Sequence, residues 1–250
     1  MTPNRFDQAA HSYEDFADVQ KRTAAWLAEW IPHERAGNAW EIGAGTGLFT
    51  RHLIPWNGRL LATDASPNMV AAGRQHCPEA HWQVCDAACR QPERHDWIFT
   101  CSFLQWAAHP ASLLPQWAEQ LRPGGRILAG MFTHGAVPEL HQSLGSAAPI
   151  AWRTDKDWRS LFGRAGLRVL ACEACTEQKI YPTALDLFRS LHRIGATGKA
   201  ALSASKLRKT IRRYEQQCPH RDGVKVEWHY CRILAAPDIR SALTSTTPSR

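Results

Sequence analysis

The residues of this 250-residue sequence whose types and spacing point to chemistry are a run of glycines and three acids. Glu41-Ile42-Gly43-Ala44-Gly45-Thr46-Gly47 follows an apolar run and opens a helical pattern, a place where glycine lets the backbone approach a ligand that side chains would hold off. A dinucleotide loop carries its third glycine one position later, where Leu48 stands, and Glu41 would repel a pyrophosphate. A ligand bearing positive charge, as ammonium and sulfonium groups do, suits the loop better. Asp64 ends the next apolar run about twenty residues on, where a carboxylate accepts both hydroxyls of a ribose. Asp86, in Val84-Cys85-Asp86-Ala87, closes the third run and is placed to receive an adenine amino group. Each acid alone reads equally well as a helix cap or a solvated loop residue. Their succession at three strand ends is the stronger signal.

The elements that must position these residues alternate. Short apolar runs at 39–42, 60–63, 81–84, 97–101 and 126–132 are interleaved with helical patterns from Thr46, from Ser66 and over Leu113 to Leu121, which predicts a doubly wound α/β sheet. Arg122-Pro123-Gly124-Gly125 reads as the turn into the fifth strand. A helix over 155–165, stopped by Gly166, leads to a strand over 167–171, and 224–235 supplies the seventh strand. Ahead of the sheet, Phe16, Val19, Trp26, Leu27 and Trp30 repeat near a helical period up to Pro32. The expected organisation is one domain over 1–240, with a helical segment 1–37, a ligand-binding core 38–135 and a helical cap 182–218 inserted between the last two strands. Ser- and Thr-rich 241–250 is expected to be a disordered tail.

Composition narrows the class. With 44% hydrophobic and 21% charged residues the chain is ordinary globular material. No run of roughly 18 apolar residues predicts a membrane span, and the polar start lacks a signal-peptide core, so a cytoplasmic protein, a monomer off the membrane, is expected. The eight cysteines are spread as reduced thiols would be, and Cys172-Glu173-Ala174-Cys175 has no second pair at zinc spacing. No metal site is expected. A net charge of +7 favours an acidic partner or anionic substrate. Nucleic acid is not the expected partner, since no finger or RNA-recognition signature occurs.

Glu-x-Gly-x-Gly-x-Gly, Asp64, Asp86 and Leu121-Arg122-Pro123-Gly124-Gly125 together resemble the class I S-adenosylmethionine-dependent methyltransferases, over roughly residues 38 to 132. The resemblance implies a Rossmann-like seven-stranded sheet and S-adenosylmethionine as cofactor. Its methionine part would lie at Glu41, Gly43, Gly45 and Gly47, its ribose at Asp64 and its adenine at Asp86 and Ala87, with Ala65, Met69 and Ser102 lining the pocket. Four further segments, RFDQAAHSYEDFADVQKRTAAWL, CSFLQW, GAVPELHQS and LHRIGATG, are similar to those of the malonyl-acyl-carrier-protein O-methyltransferases of biotin synthesis. That similarity implies methylation of the free carboxylate of a malonyl group, carried on an acidic acyl-carrier protein or on coenzyme A. The trans-aconitate methyltransferases share the architecture and imply a small free acid instead, and a cofactor-binding protein without turnover is a third reading.

Methyl transfer to a carboxylate needs no metal and no general base, because the nucleophile is ionised at neutral pH. The protein must align it and hold it by hydrogen bonds or a cation. Tyr13, Gln105 and Trp106 are the candidates for that role. Arg189 and Arg193, one helical turn apart, are candidates for an anionic substrate. Lys206, Lys209 and Arg213, within Lys206-Leu207-Arg208-Lys209-Thr210-Ile211-Arg212-Arg213, are candidates for docking the carrier.

Overall fold

In the computed structural model, which describes residues 4–134, 152–196 and 203–238, the apolar runs pair into one mixed sheet. Strands β1 (Ala36–Ile42), β2 (Asn57–Asp64), β3 (His81–Val84), β4 (His95–Cys101) and β5 (Leu121–Phe132) run parallel in the spatial order β3-β2-β1-β4-β5. β6 (Leu167–Tyr181) and β8 (Gly223–Pro237) extend it as β5-β8-β6, with β8 antiparallel to both neighbours. The seven expected strands are joined by a two-residue eighth, β7 (Pro219–His220), paired to the start of β8. The chain builds outward from β1 to β3, then restarts at β4 on the other side of β1. That reversal opens a crevice beyond the carboxyl ends of β1 and β4, where ligands bind in sheets of this kind.

Alternation along the strands makes two cores. Trp40, Ile42, Leu61, Ile98, Ile127 and Met131 face one side, where Trp117 of α6 (Pro110–Glu119) and Trp158 and Phe162 of α7 (Asp155–Arg164) cover them. Ala39, Leu60, Ala62, Phe99 and Leu128 face the other, under Leu27 of α3 (Asp18–Ala28), Leu53 of α4 (Thr50–Leu53) and Val70 of α5 (Pro67–His76). A third cluster joins β6 and β8 to α8 (Ala184–Arg193) and α9 (Ala204–Gln217) through Tyr181, Leu187, Phe188, Tyr214 and Trp228, with Tyr13 and Leu48 packed at its margin. Local chemistry starts the helices: Ser66 accepts from Met69 N with Pro67 in the first turn, and Thr154 and Asp157 form a reciprocal capping box.

Several boundaries move from expectation. The helix foreseen from Thr46 is only Thr50–Leu53, because the glycine loop occupies the preceding residues. Leu121 to Gly125 is drawn into β5 by pairing of Leu121 with His95, across a register shift, rather than standing as a free turn. β6 runs on to Tyr181 because β8 supplies partners along its whole length, so less chain is left for an insertion. The helical prelude is three pieces, α1 (Asn4–Ala9), α2 (Tyr13–Phe16) and α3. No described helix is long and apolar enough to cross a membrane. GAVPELHQS, Thr197, Gly198 and 241–250 lie outside the described residues.

One buried cation ties the prelude to the sheet. Arg232 of β8, 4% exposed, lies between the rings of Trp26 and Trp30, 4.1 and 4.4 Å from their centroids. Its guanidinium also donates to Trp26 O, to Glu29 Oε2 at 2.8 Å and to Glu173 Oε2 at 2.6 Å.

Candidate active site

At the switch point the three glycines do different work. Gly43, Gly45 and Gly47 have φ of +69°, +57° and +92°, a region that side chains disfavour. A Cβ on Gly43 would lie 2.6 Å from the Phe103 ring, and one on Gly47 3.1 Å from Cys77 Sγ, whereas one on Gly45 would meet nothing within 4 Å. Gly43 and Gly47 therefore permit packing, and Gly45 faces open space. Asp64 fastens the loop, taking Gly45 N–H on Oδ2 at 3.0 Å and Ser66 N–H on Oδ1 at 2.9 Å. Each oxygen keeps a lone pair for a ligand hydroxyl. Burial raises the Asp64 carboxyl above its ordinary value, against those backbone hydrogen bonds.

The space beside Gly45 is a cleft of roughly 700 Å³ counted out to open solvent, walled by the glycine loop, the end of β4 and the N-terminal helices. Glu41, 1% exposed, lines it with Oε2 lacking a hydrogen-bond partner among the described residues. Burial, and then the nearby Asp64, push its carboxyl up to about 8. Tyr13, half-buried, also lines the cleft, its phenol held above the usual range by burial and then by Cys101, Asp64 and Glu14. It is a hydrogen-bond donor at any physiological pH. Ser102, at the end of β4 with φ +56°, and Met69 also line the cleft.

The N-terminal helices close the site from above through two carboxylates. Asp7 receives Ser66 Oγ–H at 2.6 Å and the Asn68 backbone and side-chain N–H groups at 3.1 and 3.0 Å. Glu14 receives Thr46 Oγ–H at 2.9 Å, pairs with Arg51, and lies 2.9 Å from His76 Nδ1. Burial opposes ionisation of Glu14, but the Arg51 and Thr46 hydrogen bonds outweigh it and hold its carboxyl below the ordinary value. Phe6 packs edge-on against Trp106, their centroids 5.2 Å apart, so both prelude and β4 loop wall the cleft.

Other candidates sit elsewhere. Gln105 is 3% exposed and turned inward, donating to Ser102 O at 2.8 Å, so it braces the loop instead of facing the cleft. Ala65, Asp86 and Ala87 are not on the cleft wall, and Asp86 is exposed, with Oδ1 accepting from Ala88 N. Arg189 is exposed and 3.6 Å from Asp186, while Arg193 lies over the Phe16 ring at 4.7 Å; neither reaches the cleft. Lys206, Lys209 and Arg213 are exposed on the outer face of α9, whose inner face buries Thr210 and Tyr214. Phe6, Gln20, Thr46 and Cys101 line the cleft without having been anticipated. Apart from Thr46, which lies in the glycine loop, nothing local in the sequence marks them.

The chain matches the methyltransferase-domain family over residues 40–127. A malonyl-acyl-carrier-protein O-methyltransferase of Anoxybacillus flavithermus is 27% identical over 92% of this chain and 94% of its own. The chain thus carries a methyltransferase domain and is similar to the class I S-adenosylmethionine-dependent methyltransferases. A trans-aconitate 2-methyltransferase of Methylobacterium nodulans is 35% identical to the methyltransferase over 50% of each chain. In fold, the YcgJ protein of Bacillus subtilis superposes on it with a TM-score of 0.66 at 13% identity, covering 86% of this chain and 97% of that one.

Proposed function

We propose that this methyltransferase esterifies the free carboxylate of a malonyl thioester borne by an acidic acyl-carrier protein. The observation that carries the reading is the cleft's charge: its described walls hold two carboxylates, Glu41 and Asp64, and no lysine, arginine or histidine. The two acids suit a cationic cofactor. Glu41 Oε2, buried and unpartnered, fits its ammonium, the free lone pairs of Asp64 fit ribose hydroxyls, and the open side of Gly45 admits the backbone contact. Asp86 and Ala87, just beyond the cleft, are proposed for the adenine edge.

When bound, S-adenosylmethionine supplies a methyl group on a sulfonium that leaves as a neutral thioether. The chain's own part is alignment. Tyr13, kept protonated, donates a hydrogen bond to the acceptor carboxylate without removing its charge, and Trp106 and Phe6 exclude water around it. Holding the anion by neutral donors leaves it nucleophilic, which a guanidinium clamp would oppose. A tricarboxylic acid such as trans-aconitate would bring three negative charges beside Glu41 and Asp64 with no cation to offset them, so a single carboxylate on a neutral thioester fits better. Full-length coverage of the malonyl-carrier relatives supports the same choice.

The carrier is proposed to dock on α9, where Lys206, Lys209 and Arg213 stand exposed on an element whose core cluster also reaches Tyr13 and Leu48 of the cleft. The test is methyl-ester formation from labelled cofactor with malonyl-carrier protein, malonyl-coenzyme A and free di- and tricarboxylic acids. Preference for the carrier-bound malonyl group is expected, with Lys206→Glu/Lys209→Glu raising its KM at low salt and leaving coenzyme A unaffected. Faster turnover of free trans-aconitate would overturn the assignment.

A further inference from the structure

Of the four buried glutamines among the described residues, three engage in side-chain hydrogen bonds, although Gln105 Oε1 has no partner. Gln91 donates from Nε2 to Cys85 Sγ, Gln105 from Nε2 to Ser102 O, and Gln120 Oε1 accepts Gln91 N–H. Gln20 of α3 is equally buried, 9% exposed, yet its side chain makes no hydrogen bond to a described residue. It lies on the cleft wall with Ala24, one helical turn further along the same face. Its amide atoms are not among the buried unpartnered ones, so the amide is open to the cleft and free to bond a ligand there.

Glu41 shares the wall and has a buried atom without a partner, Oε2. An acid and an amide, both unpaired, facing one space are complementary to a zwitterion: the acid accepts from an ammonium, and the amide N–H donates to a carboxylate. With no cationic side chain on the described wall, a neutral donor must perform that second task.

We infer that the Gln20 amide binds the carboxylate of the cofactor's amino-acid end, while Glu41 takes its ammonium. This rests on the cleft being the S-adenosylmethionine site. Gln20 is thus a cofactor-binding residue in the helix that precedes the sheet, and it makes the prelude part of the site and not merely its cover. Because the contact is at the end of the cofactor remote from the adenosine, it selects for an intact amino-acid head.

Calorimetric titration of the full-length protein with two probes tests this: S-adenosylhomocysteine, which has the head, and methylthioadenosine, which shares the adenosine and thioether but lacks it. Gln20→Leu is expected to weaken S-adenosylhomocysteine binding by about ten- to a hundredfold, the loss of one hydrogen bond to a charged group. Methylthioadenosine affinity stays the same. Gln20→Glu, which keeps size and polarity, is expected to weaken S-adenosylhomocysteine further by setting two carboxylates together, again sparing methylthioadenosine. Should the Leu variant melt before titration, the Glu variant decides. Equal losses for both probes, or no loss for either, would overturn the inference while leaving the cofactor reading intact. A wild-type protein that binds neither probe would overturn both.

Discussion

Glu41 is held far from its ordinary ionisation, and that has a measurable sign. Its carboxyl rises from 4.5 to about 8 on folding. At about 1.4 kcal/mol per pKa unit, ionising it in the folded, cofactor-free protein costs on the order of 5 kcal/mol. Between those two values the native state binds a proton that the unfolded chain has released. The contribution to stability is therefore fully present below pH 4.5 and is lost as pH rises through 8. Denaturant unfolding of wild type and Glu41→Gln, compared from pH 5 to pH 9, should show wild type losing several kcal/mol more than the variant. A cationic cofactor reverses the preference, since an ammonium beside Glu41 favours its ionised form. Binding at pH 7 should then release close to one proton, read as a dependence of calorimetric enthalpy on the buffer's ionisation enthalpy. Glu41→Gln should release none. Parallel stability curves, together with proton-neutral binding by the wild type, would refute both the protonated resting state and the ammonium seat.

The glycine loop should separate packing from binding. Gly43→Ala, with its Cβ driven to 2.6 Å from the Phe103 ring, is expected to lower the melting temperature, whereas Gly45→Ala should cost about 1–2 kcal/mol of backbone strain and chiefly weaken S-adenosylhomocysteine binding in titration. Arg232→Ala removes a buried cation from between two tryptophans and two largely exposed glutamates, and equilibrium unfolding should show a loss of about 2–3 kcal/mol. Arg232→Lys should recover little of it, since an ammonium lacks the planar fork that both contacts use.

The cofactor half was legible because its chemistry is local. Glu41 and the glycines are neighbours in the chain, and Asp64 is brought to them by one strand–helix–strand step whose pattern is plain in the residues. Periodicity likewise predicted the helix over 155–165 and the helical character of 182–218, where α7, α8 and α9 stand. Gln105 does not face the cleft, because a short 3-10 turn, Leu104–Trp106, carries Trp106 toward it and folds Gln105 inward. Arg189 and Arg193 do share a helix side, but Asp186 and the Phe16 ring engage them first.

By itself, then, the sequence determined the order of strands and helices, the loop of Glu41 to Gly47, the acid at Asp64 and the class of chemistry they serve. Which remote side chains complete the cleft was decided only in three dimensions. Asp7 and Glu14 reach Ser66 and Thr46, Gln20 joins the cleft that Glu41 lines, and α9 shares a core with Tyr13, through contacts that close long loops. Such contacts follow no spacing rule. They are set by how the prelude packs onto the sheet, where Arg232 fixes α3, and packing depends on the shapes of all the surfaces that meet.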